Sequence, residues 1–275
     1  MKNAEVLYEV KGPKNMQEMT AYELADLLKE TDLFLMSCGA TENHSFHLPI
    51  GSDNYQGEYL VKRTAEKLAD LGIKSVPGFT VPFGVETNSF ERQSLFGNAS
   101  LKPSTFIAVL KDLIKSLHED GFNKFVMILN HAENWAPMQV AAQELYEEYG
   151  IKCLAVNWIP PMNDFWPTVL KNTKHQGHGG EDETACVLAT VPKLVHHEHA
   201  KPYYHDDHPE ADVDFGGLFY YGGAAGIYAP LSPDNSPGYI GDPASATAEA
   251  GEACHNAYAE WIAKVVRKYF YPELI

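Results

Sequence analysis

Cysteine is scarce in this chain of 275 residues: Cys38, Cys153, Cys186 and Cys254 are widely spaced and form no C-x-x-C. A disulfide framework is therefore not expected. Three of the four lie in apolar segments and read as small buried hydrophobes in a reducing compartment. Long apolar runs are missing as well, with no window near 18 uninterrupted apolar residues, which excludes a helical membrane span. Met1-Lys2-Asn3-Ala4-Glu5-Val6 has no apolar core of signal-peptide length, so the expectation is a cytoplasmic protein without a membrane partner. Positive charge is also in short supply. Lys and Arg number 21 against 37 Asp and Glu, a formal charge of −16, which argues against a nucleic-acid surface and leaves a small molecule as the expected partner. Three catalytic signatures are absent: the G-x-S-x-G elbow, the G-x-x-x-x-G-K-[ST] phosphate loop, and a G-x-G-x-x-G following a strand. A Cys–His nucleophile lacks a cysteine in an electropositive loop, since Cys38 ends an apolar run.

What remains is an ordinary globular composition, 45% apolar and 21% charged, with residues 1–275 read as one domain. Thr20-Ala21-Tyr22-Glu23 is a capping box ahead of Leu24, Leu27 and Leu28, predicting a helix to about Thr31. Leu33 to Ser37 reads as a buried strand. Tyr59, Leu60, Ala65, Leu68 and Leu71 follow at helical spacing, with Gly72 placed to stop that helix. A short strand near Lys74–Val76 and a long loop from Pro77 to Lys102 come next. Pro103 opens a helix through Phe106, Leu110, Leu113, Ile114 and Leu117, with Gly121 beyond its end. Phe125 to Leu129 is the clearest strand; residues 135–149 are an amphipathic helix ending at Gly150, and Cys153 to Val156 is the next strand. This alternation implies an α/β fold with a mainly parallel sheet covered on both faces. Residues 190–242 look irregular, as a functional loop or subunit contact, and a last helix runs from Ala246 to Tyr269.

Three polar clusters lie at or beyond predicted strand ends, where parallel sheets gather ligands. The first holds Glu42, His44, His47 and Asp53. Alone it reads more readily as a polar loop capping the helix that begins near Asp53. The second is Asn130-His131-Ala132-Glu133-Asn134. Glu133 and Asn134 could be first-turn helix residues, but an ionisable group at a strand end, such as His131, is costly unless paired. The third is Gly177 to Thr184, in which at most one of Glu181, Asp182 and Glu183 need bind a metal. Together the clusters offer enough carboxylate and imidazole for two divalent ions (zinc, manganese or iron(II)) joined by a carboxylate. The five histidines between His196 and His208 fit a solvated loop better than a structural metal site.

Glu42-Asn43-His44 with His47, Leu48-Pro49 and Asp53 resembles the E-x-H-x-x-H-x-P…D signature of the creatininase (creatinine amidohydrolase) superfamily. His131-Ala132-Glu133-Asn134, His178-Gly179-Gly180 with Glu183-Thr184, and Gly238 to Glu249 follow in the order of that family, so the resemblance spans about residue 20 to 265. It implies a three-layer α/β/α sandwich and a homo-oligomer, usually a hexamer. It also implies that Glu42, Asp53 and His131 hold one ion and His44, Asp53 and Glu183 the other, with Asp53 bridging. Glu133 matches an extra acid of creatininase, and His178 the catalytic histidine that protonates the departing group after a metal-bound hydroxide attacks a carbonyl. Trp158 matches one substrate-holding aromatic residue. Lys174 stands where a second tryptophan is expected and Ala132 where another aromatic residue is, which makes the wall more polar or smaller. His47, left without a metal role, is placed at the pocket or just behind it.

The activity implied is hydrolysis of a small polar cyclic compound, a C–N bond in a cyclic amide. The alternative is a C–C bond in an oxidised cyclitol such as a dehydro-inosose. The superfamily also includes a deformylase of a pyrimidine nucleotide and a peptidase trimming a redox-cofactor precursor. A different class of reading is a non-catalytic, metal-stabilised binding subunit that presents its His-rich segment to a partner.

Overall fold

The computed structural model describes residues 9–86, 96–171, 177–204 and 237–274. Four strands form one parallel sheet in the order β2-β1-β3-β4: β1 Leu33–Cys38, β2 Val76–Val81, β3 Lys124–Leu129 and β4 Lys152–Val156. Successive side chains of a strand point to opposite faces, and in β1 and β3 both faces are apolar. Leu33, Leu35, Val126 and Ile128 enter one core. Phe34, Met36, Phe125, Met127 and Leu129 enter the other. A strand buried on both sides needs no alternation in sequence, which is why these two appear as unbroken apolar runs.

Helices cover both faces, so the three-layer α/β/α expectation holds. One face carries α1 (Ala21–Leu28), α3 (Pro103–Glu119) and α4 (Trp135–Tyr149). The other carries α2 (Ser52–Asp70), the short α5 (Trp166–Val169), α6 (Glu181–Thr190) and α7 (Ala248–Phe270). Thr20 caps α1 through the expected reciprocal pair with Glu23. Gly72 and Gly150 take positive φ just past their helices, a conformation that costs glycine little. None of the described helices is long and apolar enough to cross a membrane.

One element is displaced from its expected place. The strand read near Lys74–Val76 begins at Val76 and continues to Val81, through what looked like the start of a loop. Pro77 and Gly78 are punctuation in most contexts, but β2 lies at the sheet edge, where proline costs least. Gly78 is required there: a Cβ would lie 2.2 Å from the Phe34 ring and 2.4 Å from the Leu35 carbonyl oxygen. The β1–β2 register shifts just beyond this contact. Of the irregular segment 190–242, residues 205–236 lie outside the described residues. The described part holds the turns Pro192–Leu194 and His197–His199 and a bridge between Tyr203 and Gly241.

The strand order positions the site. From β1 the chain passes through α2 to β2 on one side, then returns to β3 on the other side of β1. The connections leaving β1 and β3 diverge onto opposite faces and leave a crevice between their carboxyl ends, where open α/β sheets bind ligands. Cys38 and Leu129 pair in register, so the two strands end level.

Burial also sets an acid limit on stability. His255, in α7, is 1% exposed, and burial pushes its imidazole down to about 4. The unfolded chain binds that proton near pH 6.5 and the folded chain only near 4, so this contribution is complete above about pH 6.5 and lost as pH falls toward 4. The difference amounts to about 3 kcal/mol. Denaturant unfolding at pH 7 and pH 4 should show the wild type losing about that much more stability than His255→Gln. Equal losses would refute the assignment. Carboxylates elsewhere titrate in both proteins and cancel in the comparison.

Candidate two-metal active site

The loop after β1 carries the first residues. The Thr41 hydroxyl donates to the Pro82 carbonyl at 2.8 Å, and the Glu42 amide to the Ile50 carbonyl at 3.1 Å, closing residues 42–50 into a compact loop. Asn43 fastens it from within. Its amide donates to Asn98 Oδ1 at 2.6 Å, its Nδ2 to the Phe96 carbonyl at 2.9 Å, and its Oδ1 accepts the Ser45 amide at 2.5 Å. Ser45 takes a φ of +66°, rare outside glycine. Glu42, His44 and Asp53, the last in the first turn of α2, are all buried. At the end of β3, the Asn130 Nδ2 donates to the Asp53 main-chain carbonyl at 2.7 Å, locking the start of α2 to the adjacent strand end.

Side chains from the loop after β1, the first turn of α2, the end of β3 and the start of α6 meet in this crevice. His131 Nδ1 lies 3.0 Å from Glu42 Oε1 and 3.3 Å from Asp53 Oδ2. His44 Nε2 lies 3.2 Å from both Asp53 Oδ1 and Glu183 Oε1. The two oxygens of Asp53 thus face different histidines. The residues sort into two overlapping sets, Glu42–Asp53–His131 and His44–Asp53–Glu183, each with its ligand atoms within 4.8 Å of one another. His178 stacks on His44 with ring centroids 4.4 Å apart, and its Nδ1 is 3.4 Å from Glu42 Oε1.

These groups suit divalent ions on two grounds of their own. First, each histidine anchors its outer nitrogen on a main-chain carbonyl. His131 Nε2 is 2.7 Å from the Val85 oxygen, and His44 Nδ1 is 3.2 Å from the Glu42 oxygen. A carbonyl only accepts, so the outer nitrogen of each ring carries a proton. The inner one, which donates to the facing carboxylates while protonated, is the nitrogen that would give its lone pair to an ion, as metal-bound histidines do. Second, Glu42 Oε2 is buried with no hydrogen-bond partner among the described residues, which costs free energy unless a cation meets it. The electrostatics agree. Burial raises Glu42, and His131 and His178 offset that only in part. Burial would raise Asp53 too, but His44 and His131 hold it well below the usual carboxylate range. Burial opposes charge on His44 and His131, yet the facing carboxylates raise both well above an ordinary imidazole. The carboxylates therefore demand positive charge between them, which protons on the histidines or divalent ions can supply.

A cavity open to solvent lies over these groups. Gln56, Asn130 and Asp182 contribute polar surface to its wall, and Trp158, Ile159, Trp166 and Tyr258 an apolar side. Trp158 stacks on Tyr258 at 4.0 Å between centroids, while its Nε1 donates to the Leu129 carbonyl at 2.6 Å. Trp166 Nε1 donates to the Tyr258 hydroxyl at 2.6 Å. The polar edges of the tryptophans are thereby spent inside the protein. Burial, reinforced by the charge of Glu183, raises Asp182 to about 7.

Comparison with known proteins bears on this arrangement. A model of the creatininase family, described as creatinine amidohydrolase, matches residues 17–266. The chain belongs to the creatininase family. It is accordingly a hydrolase of that family. It is 25% identical over 268 residues to a 3-dehydro-scyllo-inosose hydrolase from Thermotoga maritima, covering 91% of this chain and 82% of that protein. It is 25% identical over 256 residues to creatinine amidohydrolase from Pseudomonas putida, covering 87% and 90%. Among solved structures, a creatininase mutant complexed with creatine shares the fold with a TM-score of 0.70 at 20% identity, covering 94% of this chain and 100% of that one. The creatininase structure named with Mn has a TM-score of 0.67 at 23% identity, covering the same shares.

Within this creatininase fold, some expected pocket residues sit elsewhere. His47 does not line the cavity. Its Nε2 donates toward the Gly179 carbonyl at 3.0 Å and lies 3.1 Å from the Thr184 hydroxyl, so the buried ring braces the turn that carries His178. Nor does Glu133. Residues Ala132–Asn134 make a single 3-10 turn with three residues per revolution. Ala132 lines the cavity, Asn134 turns back to hold the Gly39 carbonyl and the Val85 amide, and Glu133 between them is half-buried. Trp158 lines the cavity as expected; Lys174 lies outside the described residues. Gln56 was missed, although it follows Asp53 by three positions on a helix and so shares its face. Its Nε2 donates to Glu183 Oε1 at 3.3 Å. Trp166 and Tyr258 carried no local signal and reach the wall only through packing.

Proposed function

We propose that this chain is a two-metal hydrolase that opens a small ring by attack at a carbonyl. The observation that carries this reading is Asp53, whose two oxygens face His44 and His131 separately. Glu42, Asp53 and His131 would hold one ion, and His44, Asp53 and Glu183 the second. Such a pair supplies a Lewis acid for the carbonyl oxygen and lowers the pKa of water at the site. Zinc and manganese are the first candidates for this nitrogen and oxygen donor set.

The protein's own part is to hold the substrate and move a proton. His178 donates Nε2–H to the Asn43 carbonyl at 2.7 Å, which fixes its tautomer and leaves Nδ1 beside Glu42 as the atom that takes up and returns a proton. Gln56 orients Glu183. The apolar wall offers a face for a flat ring, while the Gly179 amide holds Glu183 Oε2 at 2.6 Å and fixes that carboxylate.

The flat face of Trp158 favours a cyclic amide and C–N cleavage. A second reading, ring opening of an oxidised cyclitol at a C–C bond, is favoured by Gln56, Asn130 and Asp182 in the wall and by Ala132, which leaves room for ring hydroxyls. Metal-loaded protein should be assayed in parallel on creatinine, other small cyclic amides and 3-dehydro-scyllo-inosose. Turnover of an amide alone supports the first reading, and turnover of the inosose alone the second. Turnover of none, with both ions bound, would overturn ring hydrolysis as proposed.

A further inference from the structure

The described part of the irregular segment holds a cluster that the buried centre does not use. We infer that His196, Glu198 and His199 form an additional, surface site for a transition-metal ion of the zinc–nickel–copper class. His196 Nδ1 lies 3.1 Å from Glu198 Oε1, and His199 Nε2 lies 3.9 Å from the same oxygen, with all three atoms within 4.8 Å of one another. Donors bonded to one such ion at about 2.0–2.2 Å stand about 3.0–3.4 Å apart. The first separation already meets that requirement; the second, and the one between the two histidines, close by rotation of the exposed side chains. The rings of His196 and His199 are tilted by 32° at 6.0 Å between centroids, so they flank a point without stacking on each other.

The backbone beneath the cluster is held at both ends. The His196 amide donates to the His47 carbonyl at 2.8 Å, and the His199 amide to the His196 carbonyl at 2.9 Å. Ala200 is buried behind the turn. His197 points elsewhere, placing Nε2 3.1 Å from the Pro243 carbonyl, which removes it from the ligand set and pins the middle of the turn. Three donors on a fixed turn lose less conformational freedom on binding than the same donors on a free chain. The side chains of His196, Glu198 and His199 are 64%, 65% and 58% exposed, so an ion can enter and keep water at its remaining positions. Two imidazoles among three donors select zinc, nickel or copper over magnesium or calcium. The formal charge of −16 favours cations at the surface generally.

The test is a metal count on full-length protein loaded with excess zinc and desalted. The His196→Ala/His199→Ala double variant should carry one ion fewer per chain than wild type. The same difference should appear in an Asp53→Ala background, which separates this site from the buried pair. His197→Ala should retain the wild-type count. Substitution at exposed positions leaves the core untouched, and circular dichroism would verify that. An equal zinc count in wild type and double variant would overturn the site. Loading with magnesium should give no difference; a difference of one ion there would overturn the assigned metal class.

Discussion

Replacing Asp53 by Ala is expected to strip both ions from the buried centre and to abolish most of the hydrolytic activity. The reason is geometric: Oδ1 and Oδ2 face different histidines, so no other side chain belongs to both ligand sets. Losing it leaves Glu42–His131 and His44–Glu183 as two-ligand remnants, and two donors hold a divalent ion far less well than three. Changing a residue that merely supports a metal ligand costs about 10–100-fold, and a bridging ligand should cost more. Metal analysis of the desalted variant checks this directly, with Asp53→Asn as the variant that preserves shape and one acceptor oxygen. Retention of both buried ions by Asp53→Ala would refute the bridge. Any surface ion is counted separately through the His196→Ala/His199→Ala background.

The second large effect is expected at His178. His178→Ala should lower kcat by about 10²–10⁴-fold, the usual contribution of a positioned proton carrier, while the buried ions stay bound. Its tautomer is set by the Asn43 carbonyl, and Nδ1 lies 3.4 Å from Glu42, close enough to meet the reacting groups. Glu42, His44 and His178 also form a third group of converging donors. Metal content therefore decides the outcome. Loss of an ion together with activity would make His178 a ligand, whereas loss of activity alone identifies the proton carrier. Unchanged turnover on the substrate identified in the ring-opening assay would leave His178 no catalytic part.

Much of the fold could be read locally. The runs Leu33 to Cys38 and Phe125 to Leu129, the capping box at Thr20 and Glu23, and the glycines after α2 and α4 all act through near neighbours in the chain. Sequence therefore determined the β/α alternation, the parallel sheet and the two apolar cores. It also determined the chemistry available, since acids and histidines gather at 42–53, at 131 and at 181–183 beyond strands. Residue type and position left open which of them bind a metal, and the family resemblance singled out Glu42, His44, Asp53, His131 and Glu183. Where local signals conflict with packing, they mislead. Pro77 and Gly78 indicate a turn, yet the edge of the sheet tolerates the proline, and the Phe34 ring leaves room only for glycine. His47 has the spacing of a ligand, but the Gly179 carbonyl, 132 residues away, claims its ring.

Only the tertiary structure decided which of these groups meet. The strand order places β1 beside β3, level at Cys38 and Leu129, and sends their connections to opposite faces. That crevice brings Glu42, Asp53, His131 and Glu183 together and seats Trp158, Trp166 and Tyr258 opposite them. Such convergence depends on contacts between residues far apart in the chain, whose energies no local pattern records.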